Sequence, residues 1–227
     1  ADCDPNPALK LISFLPRTEV RDALIMRPGM EAPKPYQDGE NLTFGTSSPR
    51  RACILKNLYP GCIIKPLRGN ADTRLGRVLN GDFDGIILSQ AGLEYLGMTD
   101  HVTHIYDPEE MLPAVGQGAL AIQLRSEDAQ RCTFIRDINS SESENSVLAE
   151  RAMLRALNGN CHSAIAGYYR KEGNEYRMDG LVGSETDGRF ILKSITAQGN
   201  DSPISTGQKL AKELLNAGAR YFIPQAA

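Results

Sequence analysis

The feature that most constrains this chain is an alternation of strand-length apolar runs with helical patterns. Runs at 42–45, 62–67 and 83–88 are each followed by a helical pattern, at 49–58, 71–80 and 90–96. Such a βαβαβα series predicts an α/β fold, a doubly wound and mostly parallel sheet flanked by helices. Upstream, residues 9–15 and 22–26 read as strands. The stretch 27–40, with three prolines and two glycines, reads as a connector. A further strand is expected at 119–124. Past Asn139 the pattern changes to a helix at 142–157, strands at 165–170, 176–183 and 190–196, and a helix at 204–217. That order predicts a separate small α+β domain over 139–227.

Charge narrows the partner. The net charge is −3, yet seven basic residues from Arg50 to Arg77 face the single acid Asp72, a local charge of +6. A basic window in an acidic protein points to a focused anion site and excludes a general nucleic-acid surface. No apolar run approaches the roughly 20 residues that cross a bilayer. The first residues lack the basic start and apolar run of a secretory signal. The expectation is a soluble cytoplasmic protein, or an organellar one after loss of a transit peptide. Cys3, Cys53, Cys62, Cys132 and Cys161 form no C-x-x-C pair, which argues against a disulfide framework and a structural metal site.

Two loops concentrate the charge. In Phe44-Gly-Thr-Ser-Ser-Pro-Arg-Arg51, Ser48 is placed as helix N-cap and Pro49 as the first helical residue. Arg50 and Arg51 then sit in the first turn, where the helix dipole disfavours cations. A bound anion would offset that cost; the other reading is a solvated surface helix. Lys65-Pro-Leu-Arg-Gly-Asn-Ala-Asp-Thr-Arg74 repeats the arrangement after the next strand. In parallel sheets ligands sit beyond the carboxyl ends of the strands, so Arg50, Arg51, Arg68 and Arg74, without matching acids, would converge on a ligand with several carboxylates or phosphates. No phosphate loop favours a nucleotide. Cys161, in Leu157-Asn-Gly-Asn-Cys-His-Ser-Ala-Ile-Ala-Gly167, is read either as a small core residue or as an exposed thiol in a turn.

Six ordered motifs, Gly45-Thr-Ser-Ser-Pro-Arg-Arg51, Leu67-Arg-Gly-Asn-Ala-Asp-Thr-Arg-Leu75, Ile86-Ile-Leu-Ser-Gln-Ala-Gly-Leu93, Leu112-Pro-Ala-Val-Gly-Gln-Gly-Ala119, Ala149-Glu-Arg-Ala152 and Gly159-Asn-Cys-His162, resemble the hydroxymethylbilane synthase family, also called porphobilinogen deaminases. The resemblance implies an enzyme of tetrapyrrole synthesis that joins four porphobilinogen molecules into a linear tetrapyrrole and releases ammonia. It places a covalent dipyrromethane cofactor on Cys161 and carboxylate-binding roles on Arg50, Arg51, Arg68 and Arg74. Thr46, Ser47 and Asn70 are the implied hydrogen-bond partners. Porphobilinogen is then the small-molecule substrate.

The sequence departs from the family at two motifs, R-I-G-T-R-x-S and H-S-M-K-D-V-P, the second of which carries the family's acid/base Asp. Neither occurs here, so no catalytic residue is assigned. The expectation is a remnant of the first domain at 1–26 and 114–136, a second domain at 27–113 and the C-terminal domain at 139–227. The chain would be a monomer, or paired with a missing N-terminal segment. Tyr95 stands where a basic residue is common, so the resemblance does not carry that carboxylate contact to this chain. A doubly wound sheet with a hinge is also similar to periplasmic binding proteins, which leaves a non-catalytic anion-binding protein, or an inactive truncated homologue, as the alternative reading.

Overall fold

A computed structural model describes residues 6–37 and 39–223, so part of the expected 1–26 segment, Ala1 to Pro5, lies outside the described residues. Strand β2 (Asp22–Met26) is buried at every position. That explains its unbroken Ala-Leu-Ile-Met run, since a strand covered on both faces has no alternation to show. It lies in a five-stranded sheet with β3 (Thr43–Gly45), β4 (Ile63–Lys65), β5 (Gly85–Ser89) and β6 (His104–Ile105), in the order β4-β3-β5-β2-β6. β3 runs parallel to β4 and β5, and β2 runs antiparallel to both β5 and β6. Four strands therefore share one direction and β2 opposes them. Residues 22–26, grouped above with the N-terminal piece, are hydrogen-bonded into this sheet.

Three helices flank the sheet: α1 (Pro49–Leu58), α2 (Ala71–Leu79) and α3 (Gln90–Leu96). Ser48 caps α1 by accepting from the Arg51 N–H, and Pro49 opens it. Asn70 caps α2 by accepting from the Thr73 N–H. α2 and α3 cover one face through Leu75, Val78 and Leu93 against Ile25, Ile86 and Leu88. α1 covers the other, where Ile54, Leu55 and Leu58 share a core with Phe44 and Ile87 and also with Ala166 and Leu181 of the C-terminal domain. Burial between two sheets accounts for the apolar residues all round this helix.

The C-terminal domain is an antiparallel sheet of β8 (Ala164–Glu172), β9 (Glu175–Gly183) and β10 (Phe190–Thr196), packed on α4 (Ser141–Ala156) and α5 (Pro203–Asn216). The two helices are in contact at Gly207, where an added Cβ would collide with the Ala149 carbonyl oxygen of α4. Gly207→Ala is expected to cost about 1–3 kcal/mol, the usual penalty of overpacking, measured as a lower urea midpoint.

A third unit is the antiparallel ribbon of β1 (Leu9–Phe14) with β7 (Ala121–Arg125). Two chain segments connect it to the larger sheet and run side by side. There Thr18 donates to the Gly118 carbonyl through both its N–H, at 2.9 Å, and its hydroxyl, at 3.0 Å. Gly118 has φ +75°, and a Cβ on it would fall 2.6 Å from the Glu19 carbonyl oxygen. Only glycine fits this contact. The ribbon also joins α4, through Ser140 N–H to the Phe14 carbonyl at 2.7 Å and Arg17 N–H to Ser143 Oγ at 2.8 Å.

Candidate functional site

The rim of the sheet where β3, β4 and β5 end carries both arginine loops. Because β2 is reversed, its first residue and not its last arrives there, with Asp22 opposite Ser89. Asp22 is fully buried, and its carboxylate takes both arginines of the first loop. Oδ2 lies 2.7 Å from an Arg50 terminal nitrogen, and Oδ1 lies 2.6 Å from one of Arg51. This corrects the expectation that Arg50 and Arg51 lack a matching acid. Their partner lies 28 residues upstream of Arg50, outside the basic window, and it also offsets the unfavourable dipole at the start of α1.

Burial works against the Asp22 charge, but the Arg50 and Arg51 guanidiniums outweigh it and hold the carboxyl below its usual range. Burial likewise lowers Arg50, which stays protonated as arginines do. Arg50 also donates to the Leu112 carbonyl at 2.8 Å, while its Nε is buried without a partner. Arg51 gives Nε and one terminal nitrogen to Asp22 and the other to the Ile87 carbonyl at 3.1 Å. That leaves two of its five N–H donors for a ligand.

The two loops are tied together. Ser47 Oγ donates to the Leu67 carbonyl at 3.0 Å and accepts from its N–H at 3.1 Å, and Thr46 N–H reaches the Lys65 carbonyl at 3.0 Å. Thr46 Oγ1 accepts from the Ser48 N–H at 3.1 Å. Arg74 Nε donates back to the Gly69 carbonyl at 2.8 Å. Burial and then the nearby Arg51 charge lower the Arg74 pKa, a sign of two cations facing one space. Arg51, Asn70 and Arg74 line a cavity of about 300 Å³ with Gly69 and Ser89. Arg68 is exposed and does not line that cavity. Tyr95 points to solvent from α3, 90% exposed.

Arg50 faces a second cavity, of about 220 Å³, with Ser48, Arg151, Asn160, Cys161 and Ser163. Of the two readings of Cys161 the structure decides for the exposed thiol. Its turn is held by Asn160, whose side chain accepts from the His162 N–H at 2.8 Å and whose N–H reaches Ser163 Oγ at 3.3 Å. Cys53 and Cys62 are buried, and burial pushes the Cys53 thiol up to about 11.

Sequence reasoning missed the two acids with no solvent exposure, Asp22 and Glu150. Glu150 lies on α4 with neither oxygen near solvent, accepting from Arg17 at 2.6 and 3.2 Å, from Gly116 N–H at 2.6 Å and from Tyr169 N–H at 3.0 Å. Burial raises its pKa, against the pull of Arg17. A signal was available: Glu150 falls between Val147 and Leu154 at helical spacing, on the apolar stripe.

Residues 2–133 match the family model described as porphobilinogen deaminase, dipyromethane cofactor binding domain, and residues 145–216 match the porphobilinogen deaminase C-terminal domain. Porphobilinogen deaminase of Coxiella burnetii (strain RSA 331) is 35% identical over 216 residues, covering 95% of this chain and 68% of that protein. That of Acidithiobacillus ferrooxidans (strain ATCC 53993) is 37% identical over 215 residues, with the same two shares. That of Mycobacteroides abscessus is 36% identical over 229 residues, covering 96% and 73%. With one family model over residues 2–133, a second over 145–216 and relatives 35–37% identical across 95% of it, the chain belongs to the porphobilinogen deaminase family.

Proposed function

We propose that this chain acts as a hydroxymethylbilane synthase, joining porphobilinogen units head to tail with release of ammonia, and that Cys161 anchors the dipyrromethane cofactor through a thioether. The observation that carries this reading is the setting of the thiol. Cys161 is exposed and opens on a cavity walled by Arg50, and the buried carboxylate that grips Arg50 also grips Arg51 of the neighbouring cavity. An exposed thiol beside cations, with Arg50 Nε buried and unpartnered, fits a group anchored through sulfur and bearing carboxylates. When bound, that group supplies the primer to which pyrroles are added.

The chain's own residues bind and orient. Arg51 offers two N–H donors and Arg74 a further fork to the acetate and propionate of a pyrrole. Asn70 and Ser47 hold the loops that carry them, Asn70 as the α2 cap and Ser47 across to Leu67. Arg68, exposed between β4 and α2, would meet carboxylates of a lengthening product. The family match does not favour the non-catalytic reading. We further propose three parts: the ribbon up to residue 21 with 114–136, the sheet domain with residues 22–26 included, and the C-terminal domain from 139.

Arg51→Lys and Arg74→Lys keep the charge but lose the paired fork, so each should weaken binding of a pyrrole diacid by about 1.5–3 kcal/mol. Arg77, paired with Asp82 at 2.9 Å, and Lys56, which donates to the Thr186 carbonyl, should tolerate replacement. Calorimetric titration with a pyrrole carrying one acetate and one propionate tests this. Equal losses at all four positions would indicate a diffuse field and not a site.

A further inference from the structure

We propose that Asp22 is a positioning residue that sets the two arginines for two different cavities, turning Arg50 toward Cys161 and Arg51 toward Arg74. The inference rests on the reading of both cavities given above. Consecutive helical residues leave the axis about 100° apart, so Arg50 and Arg51 start in different directions. One carboxylate reaches both, and its two oxygens divide the work. Oδ2 meets Arg50 at 2.7 Å as an ion pair without hydrogen-bond geometry, and Oδ1 accepts from Arg51 through its terminal nitrogen at 2.6 Å and its Nε at 3.2 Å.

The carboxylate is itself held. Gln117 Nε2 donates to Oδ1 at 3.2 Å and to the Val20 carbonyl at 2.6 Å, and Gln117 Oε1 accepts from Arg50 at 3.3 Å. Asp22 has no solvent exposure and lines neither cavity. It therefore acts on a ligand only through the arginines. Charge alone makes the opposite forecast, because removing a carboxylate raises the local positive charge and should tighten anion binding.

The experiment uses the full chain, with a pyrrole bearing one acetate and one propionate but no aminomethyl group as diacid probe and acetate as monoacid. Asp22→Asn should bind the diacid at least tenfold more weakly while its affinity for acetate changes less than threefold, so the selectivity collapses. Asp22→Glu should recover part of it. Unchanged or tighter diacid binding in Asp22→Asn overturns the proposal. Should that variant fail to fold with two guanidiniums left buried, the double variant Arg50→Met/Asp22→Asn is compared with Arg50→Met. A further loss of at least tenfold in the double variant is expected, and equal affinity overturns the proposal. Losses in Arg51→Lys and Arg74→Lys with none in the Asp22 variants overturn this inference alone. No loss in any of them overturns the reading of the site as well.

Discussion

Replacing Cys161 by serine is expected to remove all covalently bound pyrrole from the protein. Made in cells that produce porphobilinogen, the unsubstituted chain should exceed its sequence mass by two linked pyrroles and colour with an aldehyde reagent for free pyrrole α-positions. The serine variant should show neither. A hydroxyl does not supply the thiolate that sulfur does. The other described cysteines are poor substitutes for a physical reason. Cys53 and Cys62 are buried, with the Cys53 thiol pushed up to about 11, and Cys132 does not line the Cys161 cavity. Each can be replaced with the adduct retained. An adduct persisting in Cys161→Ser would sink the assignment.

Glu150→Ala should be the most destabilising single change in the buried polar structure. It leaves the Arg17 guanidinium and the N–H groups of Gly116 and Tyr169 without their acceptor. Stranding one member of a buried pair costs about 3–5 kcal/mol, read as a fall in the urea midpoint. Glu150→Gln keeps one acceptor oxygen and should lose less. The residue joins α4 to β8, to the segment before Gly118 and to the one after β1. A loss under about 1 kcal/mol in the alanine variant would show that those joints are held by packing alone.

Much of this architecture was legible. α1 and α3 begin and end where their patterns do, because Ser48 and Pro49 mark one start and Gly97, in left-handed conformation, marks the other end. β6 was not seen, since two residues carry no periodicity, and its pairing is supplied by β2. Within the site, the loops and Cys161 could be read because each is local. The pairing of Arg50 and Arg51 could not, because a charge count over a window is blind to an acid that the fold brings from another strand. Arg68 and Arg74 lie six residues apart on either side of the α2 cap, yet only Arg74 turns into the Arg51 cavity, through its bond to Gly69. Nearness in sequence settles the neighbourhood of a side chain but not its direction.

The reversed strand β2 has a mechanical meaning. The chain enters the sheet at Asp22, only four residues after Thr18 meets Gly118, so the anchor of the arginines sits beside the junction of the β1–β7 ribbon with the sheet. Points near a pivot sweep the shortest arcs. Any swing of the ribbon about this junction would carry its far end a long way and move Asp22 little. The arginine forks would then keep one frame of reference while the space facing them widens or narrows.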